Sequence, residues 1–167
     1  MLSKSYQTSP LGELLIIADN QAIKGLWFAG QKYYAKGYNL EEIPEQVTPI
    51  IQLAINYLTE YFNGDLPKLA LPPVKPEATP YQLRVLHLLQ QIPYGQTMTY
   101  QQIADQLNQY FPHKTTSARA VGGAVGHNPI SILIPCHRVI GSQQQLTGYA
   151  GGLDRKQALL TLERKSH

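Results

Sequence analysis

The hydrophobic positions of this chain fall into short, sharply bounded groups. Leu14–Ala18 and Ile23–Phe28 are apolar runs separated by the turn residues Asp19, Asn20 and Gln21, a pattern that predicts a hairpin. Residues 31–47 are mostly polar, with Tyr33, Tyr34 and Tyr38 scattered among them, and read as a poorly packed loop. Thr48 then offers a helix N-cap, with Pro49 at the first helical position. Ile51, Ala54, Ile55, Leu58 and Phe62 follow at helical spacing until Asn63 and Gly64 stop the helix. The stretch LALPPVKPEATP, residues 69–80, reads as an extended connector, because each proline fixes φ and removes a backbone donor.

Beyond the connector the pattern is helical and well punctuated. Thr79, Pro80 and Gln82 supply an N-cap, a first-position proline and the glutamine of a capping box. Val85, Leu88, Leu89 and Ile92 form the buried stripe, and Pro93-Tyr94-Gly95 ends the segment. Thr99 and Gln102 make a second capping box, opening a short helix through Leu107. A third helix covers Ser117–Val125, so two short helices, residues 100–108 and 117–125, follow one another as in a helix-turn-helix. Ile132-Leu133-Ile134 reads as a short buried strand or extended run. Asp154 is the expected cap of a last helix whose Ala158, Leu159 and Leu162 face inward. The expectation is an α+β protein. A small N-terminal sheet-plus-helix domain, residues 1–78, precedes a mainly helical domain, residues 79–167, that carries a helix-turn-helix-like (winged-helix-like) unit.

Composition changes the picture in three ways. With 43% hydrophobic and 15% charged residues, the 167-residue chain can build a core and does not look disordered. The net charge of +3 is unevenly spread: residues 1–78 carry −2, residues 79–167 carry +5, and all five histidines lie in the second part. Such asymmetry points toward a polyanionic partner. The single cysteine, Cys136, rules out an internal disulfide framework and a cysteine-rich zinc site. The apolar runs are too short for a membrane span and the first residues lack a signal-peptide core, so a cytoplasmic protein is expected.

Two segments stand apart from the packing pattern. In SARAVGGAVGHNP the pair Gly122-Gly123 costs about 1 kcal/mol per residue relative to alanine in a helix and needs a reason. One is close packing against another helix. The other is a smooth face that lets a duplex groove approach while Arg119 projects. In ILIPCHRVI the lone cysteine could be an ordinary buried thiol. However, a proline precedes it and histidine and arginine follow it, the surroundings in which a thiol becomes a nucleophile.

Four segments, TPYQLRVLHLLQQIPYGQTMTYQQIA, SARAVGGAVGHNP, ILIPCHRVI and TGYAGGLDRKQALLTLE, resemble the O6-alkylguanine-DNA alkyltransferases in order and spacing. SPLGELLIIADNQAIKGLWF is similar to the N-terminal hairpin of that family. The resemblance implies repair of double-stranded DNA containing O6-alkylguanine, and also O4-alkylthymine, by irreversible transfer to Cys136. It implies a base-flipping monomer that needs no cofactor or metal. His137 would take the thiol proton through a water, Glu163 would orient the imidazole, and Tyr100 would donate to the leaving base. Asn128 would brace the turn that carries the cysteine. Arg119 would fill the gap left by the flipped nucleotide, with Ala120, Gly123 and Tyr100 also at the DNA. Pro135, Tyr149 and Ala150 would form the base pocket. The chain departs from the family pattern at Leu86, Tyr81 and Ala150, and the absence of cysteine before residue 136 removes any basis for an N-terminal zinc site.

Overall fold

The computed structural model describes residues 1–64 and 66–165. Three antiparallel strands, β1 (Ser3–Gln7), β2 (Leu14–Ala18) and β3 (Ile23–Phe28), form a sheet in the order β1-β2-β3. The hairpin falls where the apolar runs place it, and Asp19 closes its turn by accepting from the Gln21 and Ala22 amides. β1 was not legible, because its SKSYQ run has no apolar alternation. Every residue of β2 and β3 is buried, since both faces of the sheet are covered. Leu14, Ile16 and Ala18 point into the main core. Leu15 and Ile17 point the other way, into a second cluster with Trp27, Ala35 and Ile43.

That second cluster corrects the expectation for residues 31–47. The segment is not a poorly packed loop: Tyr34, Ala35, Tyr38, Leu40 and Ile43 lie over the outer face of the sheet. It has turns and one 3-10 turn, Leu40–Glu42, capped by Asn39. Its apolar residues lack a period because they follow a folded-back path rather than a helix or strand.

Helix α1 (Pro49–Phe62) begins at the Thr48 cap and ends at Asn63, as its sequence predicts. It buries Ile51, Ala54, Leu58 and Tyr61. The proline-rich connector then runs beside β3, where Ile23 donates to Pro73 O and accepts from the Lys75 amide. Helices α2 (Pro80–Leu89), α3 (Tyr100–Tyr110) and α4 (Ala118–Gly126) follow, and both capping boxes are formed. Asn108 closes the link from α3 to α4 by bonding the Thr116 amide and carbonyl. Two short strands, β4 (Met98–Thr99) and β5 (Val139–Ile140), pair in parallel. This pairing sets the start of α3 beside the chain that leaves the Cys136 turn.

Two further expectations need correction. Ile132-Leu133-Ile134 is a buried turn, not a strand. Pairing ends at residues 129–131, where Leu26 donates to Pro129 O and accepts from the Ser131 amide. The chain then reverses through Ile132, whose φ is 69°. Asp154 is not the cap of α5 (Leu153–Lys165). It sits exposed within the first turn, where its charge still favours the positive end of the helix dipole.

One hydrophobic core runs through the whole molecule, joining Leu14, Ile16 and Phe28 to Val85, Leu89, Val121 and Leu159. Among the described residues no helix is long and apolar enough to cross a membrane.

A backbone test of the sheet follows from Gly25. A methyl group there would overlap the indole of Trp27, which is fully buried and has no room to retreat. Gly25→Ala is expected to lower the unfolding free energy by about 1–3 kcal/mol through overpacking. Urea titration of the two proteins measures the difference.

Candidate active site

The turn that presents Cys136 is set by one amide side chain. Asn128 Nδ2 donates to Ile130 O at 3.1 Å and to Ile134 O at 2.9 Å, and its Oδ1 accepts from the Ile130 amide at 3.0 Å. These three bonds hold a loop whose Ile132 is in the left-handed region, an expensive conformation for a β-branched residue. Cys136 then opens a 3-10 turn, Cys136–Arg138, and is only 4% exposed. Burial raises its thiol pKa, with Asn128 and the Lys156 charge pulling the other way. The resting group is therefore a neutral thiol.

Behind that turn lies a buried carboxylate with five donors. Glu163 Oε1 accepts from Arg138 Nε at 2.8 Å and from the Gly95 amide at 3.1 Å. Its Oε2 accepts from His137 Nε2 at 2.5 Å, from the Tyr61 hydroxyl at 2.6 Å and from an Arg138 terminal nitrogen at 3.1 Å. Burial alone would raise the Glu163 pKa, but the hydrogen bonds and charge of its partners outweigh it and hold the carboxyl well below the usual range. His137 is shifted down, first by burial, with Glu163 opposing and Arg138 adding to the fall. A neutral imidazole with its proton on Nε2 satisfies this geometry. Nδ1 is then a free lone pair, and it has no partner among the described residues.

The front of the site is a cavity of about 250 Å³ lined by Tyr100, Gly122, Gly123, His127, Tyr149 and Ala150, among others. Cys136 and Pro135 are buried and are not among the residues that line this cavity. The phenols of Tyr100 and Tyr149, which line this cavity, both feel Cys136 electrostatically. Tyr100 donates to Thr147 O at 3.1 Å. Lys156, fully buried, donates to Thr147 O at 2.9 Å and to Gly148 O at 3.1 Å, so it ties down the loop that leads to Tyr149 and Ala150. Burial lowers its pKa to about 8.

Helix α4 resolves the question of its glycines. Gly123 has open space where a side chain would be, and Gly122 would meet only the ring of Tyr100. Neither glycine is there for close helix packing. Arg119, Ala120 and Gly123 share the exposed face, while Val121, Ala124 and Val125 face the core. A second, open depression beside the cavity joins Tyr100 and Gly122 to Arg119.

Tyr61 and Lys156 were not singled out from the sequence, and Arg138 only as a charge beside the thiol. Arg138 and Tyr61 bind the Glu163 carboxylate, and Lys156 tethers the cavity loop. One signal was available: Lys156, Leu159, Leu160 and Glu163 form the buried stripe of α5, so two ionisable residues occupy positions of an apolar face. Tyr61 continues the stripe of α1, which marks it as buried but says nothing of its hydroxyl.

Known proteins carry the same plan. The family described as 6-O-methylguanine DNA methyltransferase, DNA binding domain, matches residues 80–165. The methylated-DNA–protein-cysteine methyltransferase of Haemophilus influenzae is 40% identical over 162 residues, covering 96% of this chain and 85% of that protein. The structure of Mycobacterium tuberculosis OGT in complex with DNA is similar with a TM-score of 0.84 at 36% identity, covering 98% of this chain and 94% of that one. The Mycobacterium tuberculosis O6-methylguanine methyltransferase gives a TM-score of 0.82 at 36% identity, covering 100% and 95%. The matched segment spans α4, the Cys136 turn and Glu163, and the likeness continues through the N-terminal sheet: this chain belongs to the family of methylated-DNA–protein-cysteine methyltransferases.

Proposed function

We propose that this chain repairs duplex DNA by taking the alkyl group from O6 of a guanine onto Cys136, once per molecule. The observation that carries the reading is the relay buried behind the sole cysteine. An ionised Glu163 fixes the Nε2 proton of His137 and leaves Nδ1 as an acceptor. Cys136 Sγ attacks the alkyl carbon in line. The S–C bond forms as the C–O6 bond breaks, and the electron pair stays with the guanine. The thiol proton passes through a water to Nδ1, and Tyr100 supplies a hydrogen bond or proton to the leaving base, exchanging its Thr147 partner for the purine. Thiol and alkylguanine become thioether and guanine. The C–S bond of a neutral thioether resists attack by water, with no group here to make the thiolate leave, so the protein stays alkylated.

The reacting atom lies within a base stack, so the nucleotide must be flipped out at a cost of a few kcal/mol. Arg119, alone among small residues on the exposed face of α4, is placed to fill the vacancy, with Ala120 and Gly123 allowing the groove to approach. Tyr149 and Ala150 wall the pocket, Pro135 backs it, and Asn128 keeps the acceptor turn in shape. O4-alkylthymine presents a similar alkylated exocyclic oxygen and is a second substrate on this reading. Residues 79–167 carry the DNA-contacting and accepting groups, and residues 1–78 act as a domain that supports them. A thiol that must stay reduced suits a cytoplasmic protein.

Incubation with an O6-methylguanine duplex is expected to add one methyl to the intact mass of the wild-type protein and none to Cys136→Ala, which still binds the duplex. Methylation of the variant would move the acceptor elsewhere.

Arg119→Ala is expected to slow repair of duplex DNA by about tenfold or more, the scale of losing about 1.4 kcal/mol or more of the few kcal/mol that flipping costs. Reaction with free O6-alkylated guanine should change little, since nothing needs flipping. Equal losses on both substrates would make Arg119 a structural residue.

The pH dependence separates the relay from a preformed thiolate. His137 sits below its ordinary value of 6.5, so the base form persists through neutrality. The transfer rate should therefore be level above about pH 7 and fall only in acid. A rate rising tenfold per pH unit toward pH 9 would mean that solvent ionises the thiol. Folding stability follows the same sign. Unfolded His137 takes a proton below 6.5 and unfolded Glu163 below 4.5, whereas the folded forms resist both. The melting temperature should fall as pH drops through these values.

A further inference from the structure

We propose that Tyr61, a residue of the helix that precedes the connector, is a positioning residue for alkyl transfer: its hydroxyl fixes the carboxylate oxygen that holds His137. The proposal rests on the relay reading above and extends it across the molecule. Tyr61 and Glu163 are 102 residues apart, yet the Tyr61 hydroxyl donates to Oε2 at 2.6 Å in a fully buried setting. The same oxygen accepts from His137 Nε2, and the hydroxyl lies 3.5 Å from that nitrogen. The two donors therefore share one oxygen from adjacent directions.

Arg138 cannot do this work alone. It reaches both oxygens, with Nε on Oε1 at 2.8 Å and the longer terminal contact of 3.1 Å on Oε2. A guanidinium that grips both oxygens fixes the plane of the carboxylate but leaves open how charge divides between them. Tyr61 and His137 draw it to Oε2. The phenol ring is itself held, packing edge-on against Phe62 at 5.3 Å and Tyr94 at 6.0 Å. Burial raises the Tyr61 pKa well above its ordinary value, so it remains a donor at every working pH.

The groups acting on His137 come from three directions. Glu163 and Lys156 project from α5, Arg138 follows in its own turn, and Tyr61 projects from α1. Tyr57, also from α1, feels both Arg138 and Glu163 and lies in the same field. Of these, Tyr61 is the neutral donor that directly tempers the oxygen facing the imidazole. Without its hydroxyl, Oε2 carries more charge and favours the imidazolium, and the ring loses a constraint on its angle toward the thiol side.

The test is Tyr61→Phe, which keeps the ring. General-base assistance is worth about a hundredfold or more, and a residue acting through the base should supply part of it. Transfer to free O6-alkylated guanine is expected to slow about tenfold, with the acid limb of the pH profile moved to higher pH and duplex affinity unchanged. Nitrogen NMR of the labelled His137 ring should show the same rise in its titration. In Glu163→Gln the further change Tyr61→Phe should cost almost nothing. A ring-fluorinated tyrosine at position 61, a stronger donor of nearly the same shape, should move the limb to lower pH. Tyr61→Phe with unchanged rate, pH profile and imidazole titration, whatever its melting temperature, overturns the proposal. The proposed function fails separately, if wild-type protein gains no alkyl group on Cys136, and the relay fails if its rate rises tenfold per pH unit toward pH 9.

Discussion

A carboxylate buried to 1% exposure is the constraint on which the rest of this molecule depends. A bare charge in such a place is prohibitive, so the fold must deliver donors to it. It does so from three places, all meeting the carboxylate that α5 carries: the end of α1, the Gly95 turn after α2, and the Cys136 turn, which supplies both His137 and Arg138. Each segment is far from the others in sequence. Their convergence is achieved by the single core beneath them and by the pairing of the β3 edge with residues 129–131. Removing one donor therefore does more than weaken one bond, because the remaining partners share one charge and must rearrange around it.

The local rules of the chain were the legible ones. Thr79 with Gln82 and Thr99 with Gln102 announce helix starts because a capping box is complete within four residues. The hairpin was readable for the same reason. What failed was long-range or depended on backbone conformation. Ile132-Leu133-Ile134 is apolar because it is buried, and burial alone does not distinguish a strand from a turn at φ 69°. Residues 31–47 carry too few apolar positions to announce a packed segment, yet those few close the outer face of the sheet. Asp154 lies two positions past where the cap of α5 belongs.

The candidate site divides in the same way. Cys136, His137, Asn128 and the α4 residues sit in short segments whose composition is unusual on its own. Glu163 was reached through resemblance, since a glutamate near a chain end is ordinarily solvated. Tyr61 and Lys156 could be read as buried from helical spacing, but what their polar ends bind is decided by chain segments that only folding brings near. Tyr81 is another such case: it reads as core, while in the structure it is half-buried and its hydroxyl bonds Thr116 at 2.6 Å.

The emptiness of the α4 face has a consequence for how lesions are found. Sequence-specific readers distinguish base pairs with donors and acceptors aimed at the groove edges. The exposed face here offers a methyl from Ala120, the bare backbone of Gly123 and one arginine. Such a surface is nearly illiterate: it has too little chemistry to prefer one neighbouring sequence over another. With α4 as the DNA-facing surface proposed above, a survey of the genome treats all contexts alike, and damage in a rare sequence is inspected as readily as damage in a common one. On that proposal selectivity is deferred from the surface to the pocket, where only a base that leaves its stack is judged.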